Sequence, residues 1–559
     1  QSNQDMEASN SIYVITLQKE LLSPLARENE VEIANVPVAA EEKPKNVRID
    51  WAGIQNRIID LPIRPGLYSD LAAAAEGHVY YLSRSPHSGA GESPEIRKYD
   101  LKAREDKSVM QADEFQLSAD GKKMLYRQKQ AWGITETGKK PEDGTINSAA
   151  IQVKIDPVQE WKNIFYEAWR VNRDYFYDPG MHGLDWEATK SKYQVFLPDV
   201  TCRSDLYRMM QWMFSELAVG HHRFSSRGDR MRAPDKIGGG LLGADYEIAN
   251  NRYRITKLYG GLNWTPDLRS PLTEAGINVE VGEYILAVNG KEITGDQNFY
   301  QFFENTAGKI VELTVGTSPS MANARKVKVV PVSNENALRH RDWVEGNRRK
   351  VSDATNGQVA YVYVPNTATA GHEYFKRYFF PQADKKAIIV DERHNGGGQL
   401  ADYYIDMLKK PYQSHWNFRY GQDMKAPSAS IQGPKAMLID ETAGSGGDYL
   451  PWMFRKFDLG LLIGKRTWGG LVGVLGYPEF IDGGSVTAPN VAFWNEDGFR
   501  IENEGVAPDV EVEQWPADVM AGKDPQLDKA IEWILKQLEE NPPATPVRPD
   551  YPVRVRQGN

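Results

Sequence analysis

Two stretches of this chain follow one order: a short run of buried-type apolar residues, a glycine-rich turn, then a helix-forming segment. The first takes Ala387-Ile388-Ile389-Val390-Asp391 into Arg393-His394-Asn395-Gly396-Gly397-Gly398 and a helix from Ala401. The second takes Lys435-Ala436-Met437-Leu438-Ile439-Asp440 into Gly444-Ser445-Gly446-Gly447-Asp448 and the helical pattern of Tyr449-Leu450-Pro451-Trp452-Met453-Phe454. With the buried-type strand Val359–Val364, repeated strand, turn and helix units constrain residues 334–540 to an α/β domain. The glycines let the backbone bend sharply at Ser445, and the N–H groups opening the helix can stabilise a developing oxyanion. One such loop can carry a nucleophile while the other supplies an oxyanion N–H. No Lys-Ser or Lys-Thr follows the glycines, which removes the main support for a phosphate-binding loop. Alone, Ser445 also has the pattern of a helix cap.

Composition narrows the function classes. At 559 residues the chain can bury several cores, and its 41% hydrophobic and 26% charged fractions are those of a globular protein. A formal net charge of -9 without a long basic run argues against a nucleic-acid partner. No run of apolar residues is long enough for a membrane helix, so no membrane partner is expected. Cys202, the single cysteine, excludes an internal disulfide framework and leans toward a reducing, cytoplasmic compartment. A periplasmic location is the alternative if the natural amino terminus is missing. The nine histidines show no His-Glu-x-x-His spacing, so neither metal nor other cofactor is expected.

Taken in order, residues 11–17 read as a strand and a charged, proline-containing linker spans about 18–48. Glycines 77 and 121, 44 residues apart, each lead a strand in a matching hairpin, a spacing within that of propeller blades. Residues 1–155 are therefore expected to form partial β-propeller-like blades, or a small open sheet. Two blades cannot close a ring, so the chain is expected to begin inside a larger protein. A helical segment is expected over 156–234, capped by Asp156, with a second helix from Ser204 ending before Gly220 and His221. Residues 235–333 resemble a PDZ domain in Gly238-Gly239-Gly240-Leu241-Leu242-Gly243, a short Ala275-Gly276 helix, and the Gly282–Gly290 hairpin. Such a domain adds a peptide as a strand and holds its carboxylate in backbone N–H groups. A helix is expected from Asp524 to Leu538, and the proline-rich tail 541–559 is expected to be mobile.

Several motifs together resemble the carboxy-terminal part of the tricorn proteases, relatives of the tail-specific processing peptidases. They are Tyr175–Trp186, Glu216-Leu217 before His221, Asn395–Gly398, Ala443–Asp448, Ile463–Gly470 and Ile501–Val506. The resemblance implies a multidomain α/β and β fold whose 334–540 segment is a crotonase- and ClpP-like serine peptidase domain. It implies that Ser445 is the nucleophile, His221 the general base and Glu502 the acid behind it, with Gly398 and Gly446 N–H groups as the oxyanion hole. It further implies peptide substrates and a homo-oligomeric ring such as a hexamer.

The sequence departs from that pattern at three places. The family has a serine before the histidine, relaying its contact to the glutamate, where this chain has Gly220. A lysine base 25 residues after the nucleophile, as in serine-lysine relatives, is excluded because Gly470 stands there. Where the archaeal relative has an acidic specificity residue, ungapped counting reaches Trp416, so an apolar residue before the cut is the expected preference. His222 and His394 are competing candidates for the base. A catalytically silent peptide-binding scaffold is the competing function, which Gly220 keeps open, and a small-ester hydrolase is a third.

Overall fold

The computed structural model describes residues 9–21, 23–26, 47–74, 77–84, 93–141, 145–225 and 236–555. Most of the expected linker, residue 235 and the last four residues of the tail lie outside these. The chain divides into two compact units, residues 3–155 and residues 156 onward.

In the first unit the early strand is shorter than expected, Tyr13–Ile15, and pairs with Ile58–Asp60. The two glycine-led hairpins become two four-stranded antiparallel meanders. One contains Leu67–Ala73, His78–Arg84, Glu95–Asp100 and Glu105–Gln111; the other contains Glu114–Leu117, Lys123–Gln128, Ala131–Glu136 and Thr145–Ile146. Alternation along these strands buries Tyr80, Leu82, Ile96, Met110, Met124 and Tyr126 in one core.

The second unit opens with three helices, Pro157–Tyr175, Trp186–Gln194 and Arg203–Ser215. Asp156 caps the first by accepting from the N–H groups of Val158 at 3.1 Å and Gln159 at 3.3 Å. The third starts before the expected Ser204 cap: Cys202 is its N-cap, and Asp205 binds back to the Thr201 hydroxyl at 2.7 Å. The helices bury Phe165, Trp169, Met210, Met213 and Phe214 against Val472, Phe480, Val486 and Ala488 from the far end of the chain. A strand pair, Phe224–Ser225 with Ser485–Val486, continues this seam. It seats the loop that carries His221 against the α/β domain.

Between them lies an antiparallel sheet of Ala244–Ala249, Arg252–Leu258, Tyr284–Val288, Val311–Gly316 and Arg325–Val329. The expected helix at Ala275-Gly276 is not formed: these residues make an exposed turn with Gly276 at φ 87°, after a single 3-10 turn, Pro271–Thr273, that buries Pro271 and Leu272. In the glycine stretch expected to hold a carboxylate, three N–H groups already have acceptors. Gly240 donates to Phe303 O at 2.8 Å, Leu241 to Val332 O at 2.8 Å, and Gly243 to the Glu335 carboxylate at 2.9 Å.

The α/β domain is a five-stranded parallel sheet in chain order: Val359–Tyr363, Ala387–Asp391, Lys435–Ile439, Leu461–Gly464 and Val510–Glu511. The first two and most of the third are buried to every residue, as a sheet covered on both faces requires. Asn336–Ala354 and Thr369–Phe379, two helices the hydrophobic pattern leaves unread, pack on the first strand. Asp524 caps Pro525–Glu540 through Leu527 N–H at 3.1 Å. Arg393, at the end of the second strand, is buried between Asp391 at 2.6 Å and Asp524 at 2.9 Å, which ties that strand end to the last helix. The tail to residue 555 is not wholly free: the Tyr551 hydroxyl donates to Asn417 at 2.9 Å. Parallel neighbours place the loops that follow the second, third and fourth strands side by side at one end of the sheet. Those loops carry Gly398, Ser445 and Trp468.

Candidate active site

Ser445 is the hinge between its strand and the Gly446–Lys456 helix, with φ 59° and ψ −115°. A non-glycine residue seldom holds this conformation, and it persists only where surrounding contacts over-determine it. Here they do. The buried Asp448 carboxylate accepts from the N–H groups of Ser445 at 2.8 Å, Gly469 at 2.8 Å and Gly470 at 3.1 Å, and from the Thr467 hydroxyl at 2.5 Å. Burial nevertheless leaves the Asp448 carboxyl above the usual carboxylate range, with these donors pulling the other way. The Ser-x-x-Asp spacing is a capping-box pattern that could have singled out Asp448 from the sequence.

The glycine loop is locked onto this hinge. Gly444 N–H donates to Asn395 O at 3.1 Å, the Asn395 side chain accepts from Gly397 N–H at 2.9 Å, and Gly397 O accepts from Thr367 N–H at 2.9 Å. Gly398 has φ 137°, and a Cβ there would overlap Thr367 O. A Cβ at Gly446 would stand 2.5 Å from Gly398 O and 2.8 Å from its N, so the two backbones approach as only glycines allow. Among the described residues, no acceptor takes the N–H of either Gly398 or Gly446. Beneath the loop, burial first, then Asp448, Asp440 and Asp391, push the Glu392 carboxyl well above its ordinary range.

His221 comes from the other side, after the third helix, and is 8% exposed. Its ring, Ser445, Gly398 and Gly446 line one cavity of about 470 Å³. Burial, and then the positive charge of Arg223, lower the His221 pKa from its ordinary value. Its Nδ1 is buried without a hydrogen-bond partner among the described residues. Glu502 does not fill that role in this structure. One of its oxygens accepts from Gly220 N–H at 2.8 Å and the other from Leu471 and Val472 N–H at 2.6 and 2.7 Å. Glu502 sits between Ile501 and Asn503, both at positive φ, and a β-branched residue at φ 79° is rare.

The competing histidines are engaged elsewhere. His222 binds Asn172 Oδ1 at 2.9 Å and stacks on Phe214 at 5.1 Å, and burial lowers its pKa to about 4. His394 pairs with Asp440 at 2.8 Å, which raises its pKa. Neither lines the cavity. Trp416, 63% exposed on the Ser414–Trp416 strand of a hairpin, also stands outside it. The apolar wall is instead Leu471, Val474, Leu475, Val491 and Phe493, with Asp402 and Tyr449 as polar members. No cluster of three or more His, Cys, Asp or Glu among the described residues is arranged to hold a metal ion.

Family profiles match three consecutive parts of the chain: a tricorn protease C1 domain at 157–215, a tricorn protease PDZ domain at 240–334, and peptidase family S41 at 358–512. The chain belongs to the tricorn protease family. Tricorn protease homolog 1 of Streptomyces coelicolor is 31% identical over 558 residues, covering 96% of this chain and 52% of that protein. Tricorn protease of Thermoplasma acidophilum is 31% identical over 466 residues, covering 83% and 43%. The crystal structure of the tricorn protease superposes with a TM-score of 0.81 at 28% identity, over 90% of this chain and 50% of that one. The chain thus spans about half the length of these relatives. No helix among the described residues is long and apolar enough to cross a membrane.

Proposed function

We propose that this tricorn family member is a serine peptidase that hydrolyses oligopeptides or unfolded chains through an acyl-enzyme on Ser445. The observation that carries the reading is the convergence of Ser445, His221 and the N–H groups of Gly398 and Gly446 on one cavity. His221, kept neutral by burial, takes the Ser445 proton as Oγ attacks the scissile carbonyl. The oxyanion accepts from Gly398 and Gly446 N–H, whose positions are fixed before substrate arrives. His221 then returns the proton to the leaving amine, and water releases the acyl group by the same steps in reverse order of partners. Glu502 acts from behind by fixing the backbone that carries His221. The apolar wall of Leu471, Val474, Leu475, Val491 and Phe493 favours an apolar residue before the cut. A ring-shaped homo-oligomer is the assembly that family membership favours.

The test compares a capped peptide with an ester of the same acyl group, on the native chain and on Ser445→Ala. Cleavage of both, abolished by the substitution, is expected. Ester cleavage without peptide cleavage contradicts the peptidase reading, and neither cleavage by a folded, assembled protein favours a binding scaffold.

A further inference from the structure

The indole of Trp468 occupies a position between the two halves of the site. Trp468 follows the fourth strand of the sheet, and its backbone N–H donates to Ala443 O at 2.9 Å. A Cβ at Gly444, the residue before Ser445, would stand 2.5 Å from Trp468 Cε3. A Cβ at Gly220, the residue before His221, would stand 2.9 Å from Trp468 Cζ2 and 3.2 Å from Cη2. One ring therefore lies against the backbone that precedes the nucleophile and the backbone that precedes the base. It also meets the base itself, with ring centroids 5.1 Å apart and tilted by 57°.

We propose that Trp468 is a positioning residue that sets the His221 imidazole against Ser445 and faces the imidazolium formed during proton transfer. The inference rests on the reading of Ser445 as nucleophile and His221 as base. An imidazole that receives a proton needs something to orient it and to accommodate its charge. Among the described residues His221 Nδ1 has no hydrogen-bond partner, and both Glu502 oxygens are held by backbone N–H groups. The charged and titratable groups that act on the ring are Arg223 and His222; Arg223 opposes protonation, and the Glu502 carboxylate is taken up by the Gly220, Leu471 and Val472 N–H groups. The indole is an aromatic neighbour that suits a cation, and it lies nearer to the His221 ring, at 5.1 Å, than to the Arg223 guanidinium, which stands 6.0 Å from the indole centroid. It also explains Gly220: the ring fills the space that a side chain there would need, so residues 220 and 468 are coupled.

The experiment measures the rate of fluorophosphonate labelling of Ser445, with kcat and KM for a peptide. It uses the full chain, Trp468→Phe, Trp468→Ala, Gly220→Ala and the double variant Gly220→Ala/Trp468→Ala, each checked for folding by circular dichroism. Trp468→Ala should slow labelling and kcat about a hundredfold with little change in KM, the cost of a misplaced catalytic group. Trp468→Phe should recover most of that loss. Gly220→Ala should impair the native background and cost almost nothing further in the Trp468→Ala background, because the indole it collides with is gone. Labelling of the Trp468 variants at the native rate, or independent, multiplicative effects in the double variant, overturns the inference while leaving the nucleophile reading intact. A native chain that does not label overturns both.

Discussion

The two halves of this site are built by different means. On the nucleophile side, Ser445, Asp448, Asn395, Thr367 and the glycines of two adjacent loops are joined by a dense set of hydrogen bonds. On the base side, the backbone is pinned by Glu502, but the His221 ring packs on Trp468 and its Nδ1 has no partner among the described residues. The first half is preorganised through hydrogen bonds, which fix atoms in direction as well as distance. The second depends on the shape of its neighbours, so it is the half that a remote change in packing can disturb.

The sharpest way to break this contrast is Gly398→Ala. Its Cβ would overlap Thr367 O, so the loop must move and an oxyanion N–H with it. A loss of about a hundred- to a thousandfold in kcat is expected, measured by steady-state peptide hydrolysis. Glu502→Gln is the matching change on the base side. An amide cannot accept from all three N–H groups in the same orientation, so the His221 loop loosens while the ring loses no direct bond. About a tenfold fall in kcat is expected, clearly smaller than that of Gly398→Ala.

Acid sharpens the comparison in a different way. Burial lowers the His221 pKa, so its neutral, proton-accepting form persists to lower pH, and the acid limb of kcat/KM should lie below the ordinary histidine value of about 6.5. Stability follows the same sign at His222, whose pKa of about 4 is below its unfolded value. The unfolded chain binds the extra proton, so stability should fall as pH drops from about 6.5 toward 4, by up to about 3 kcal/mol. Denaturant unfolding of the native chain and of His222→Gln, which cannot take up that proton, measures the difference. Trp416→Asp should have the smallest effect, within about threefold in the ratio of kcat/KM for aromatic over basic residues before the cut, because Trp416 stands outside the cavity.

What the sequence made legible follows the same division. Strand, turn and helix around Gly398 and Ser445 are contiguous, so apolar runs and glycines disclose both loops and the parallel sheet that sets them side by side. The cap at Asp156 and the helix after Asp524 are equally local. The helix Asn336–Ala354 was hidden because its buried stripe is only Leu338, Val344, Asn347 and Val351 among many charges, and Thr369–Phe379 because its buried face is made of Gly371, His372 and aromatic residues in place of aliphatic ones. His221 could be named only from the family motif, since nothing beside it in the chain distinguishes its ring from that of His222. Their separation is tertiary: one ring stacks on Phe214 while the other faces the cavity. The binding of Glu502 to Gly220 N–H, and the contact of Trp468 with Gly220, join segments far apart in sequence and leave no local pattern.

The central claim is that Ser445 is an activated nucleophile and His221 its base. Fluorophosphonate labelling of the assembled native chain, Ser445→Ala and His221→Ala, with the modified residue located by mass spectrometry, tests it most directly. The account predicts labelling on Ser445 in the native chain and none at a comparable rate in either variant. Labelling that persists in His221→Ala, or that falls on another residue, would contradict it.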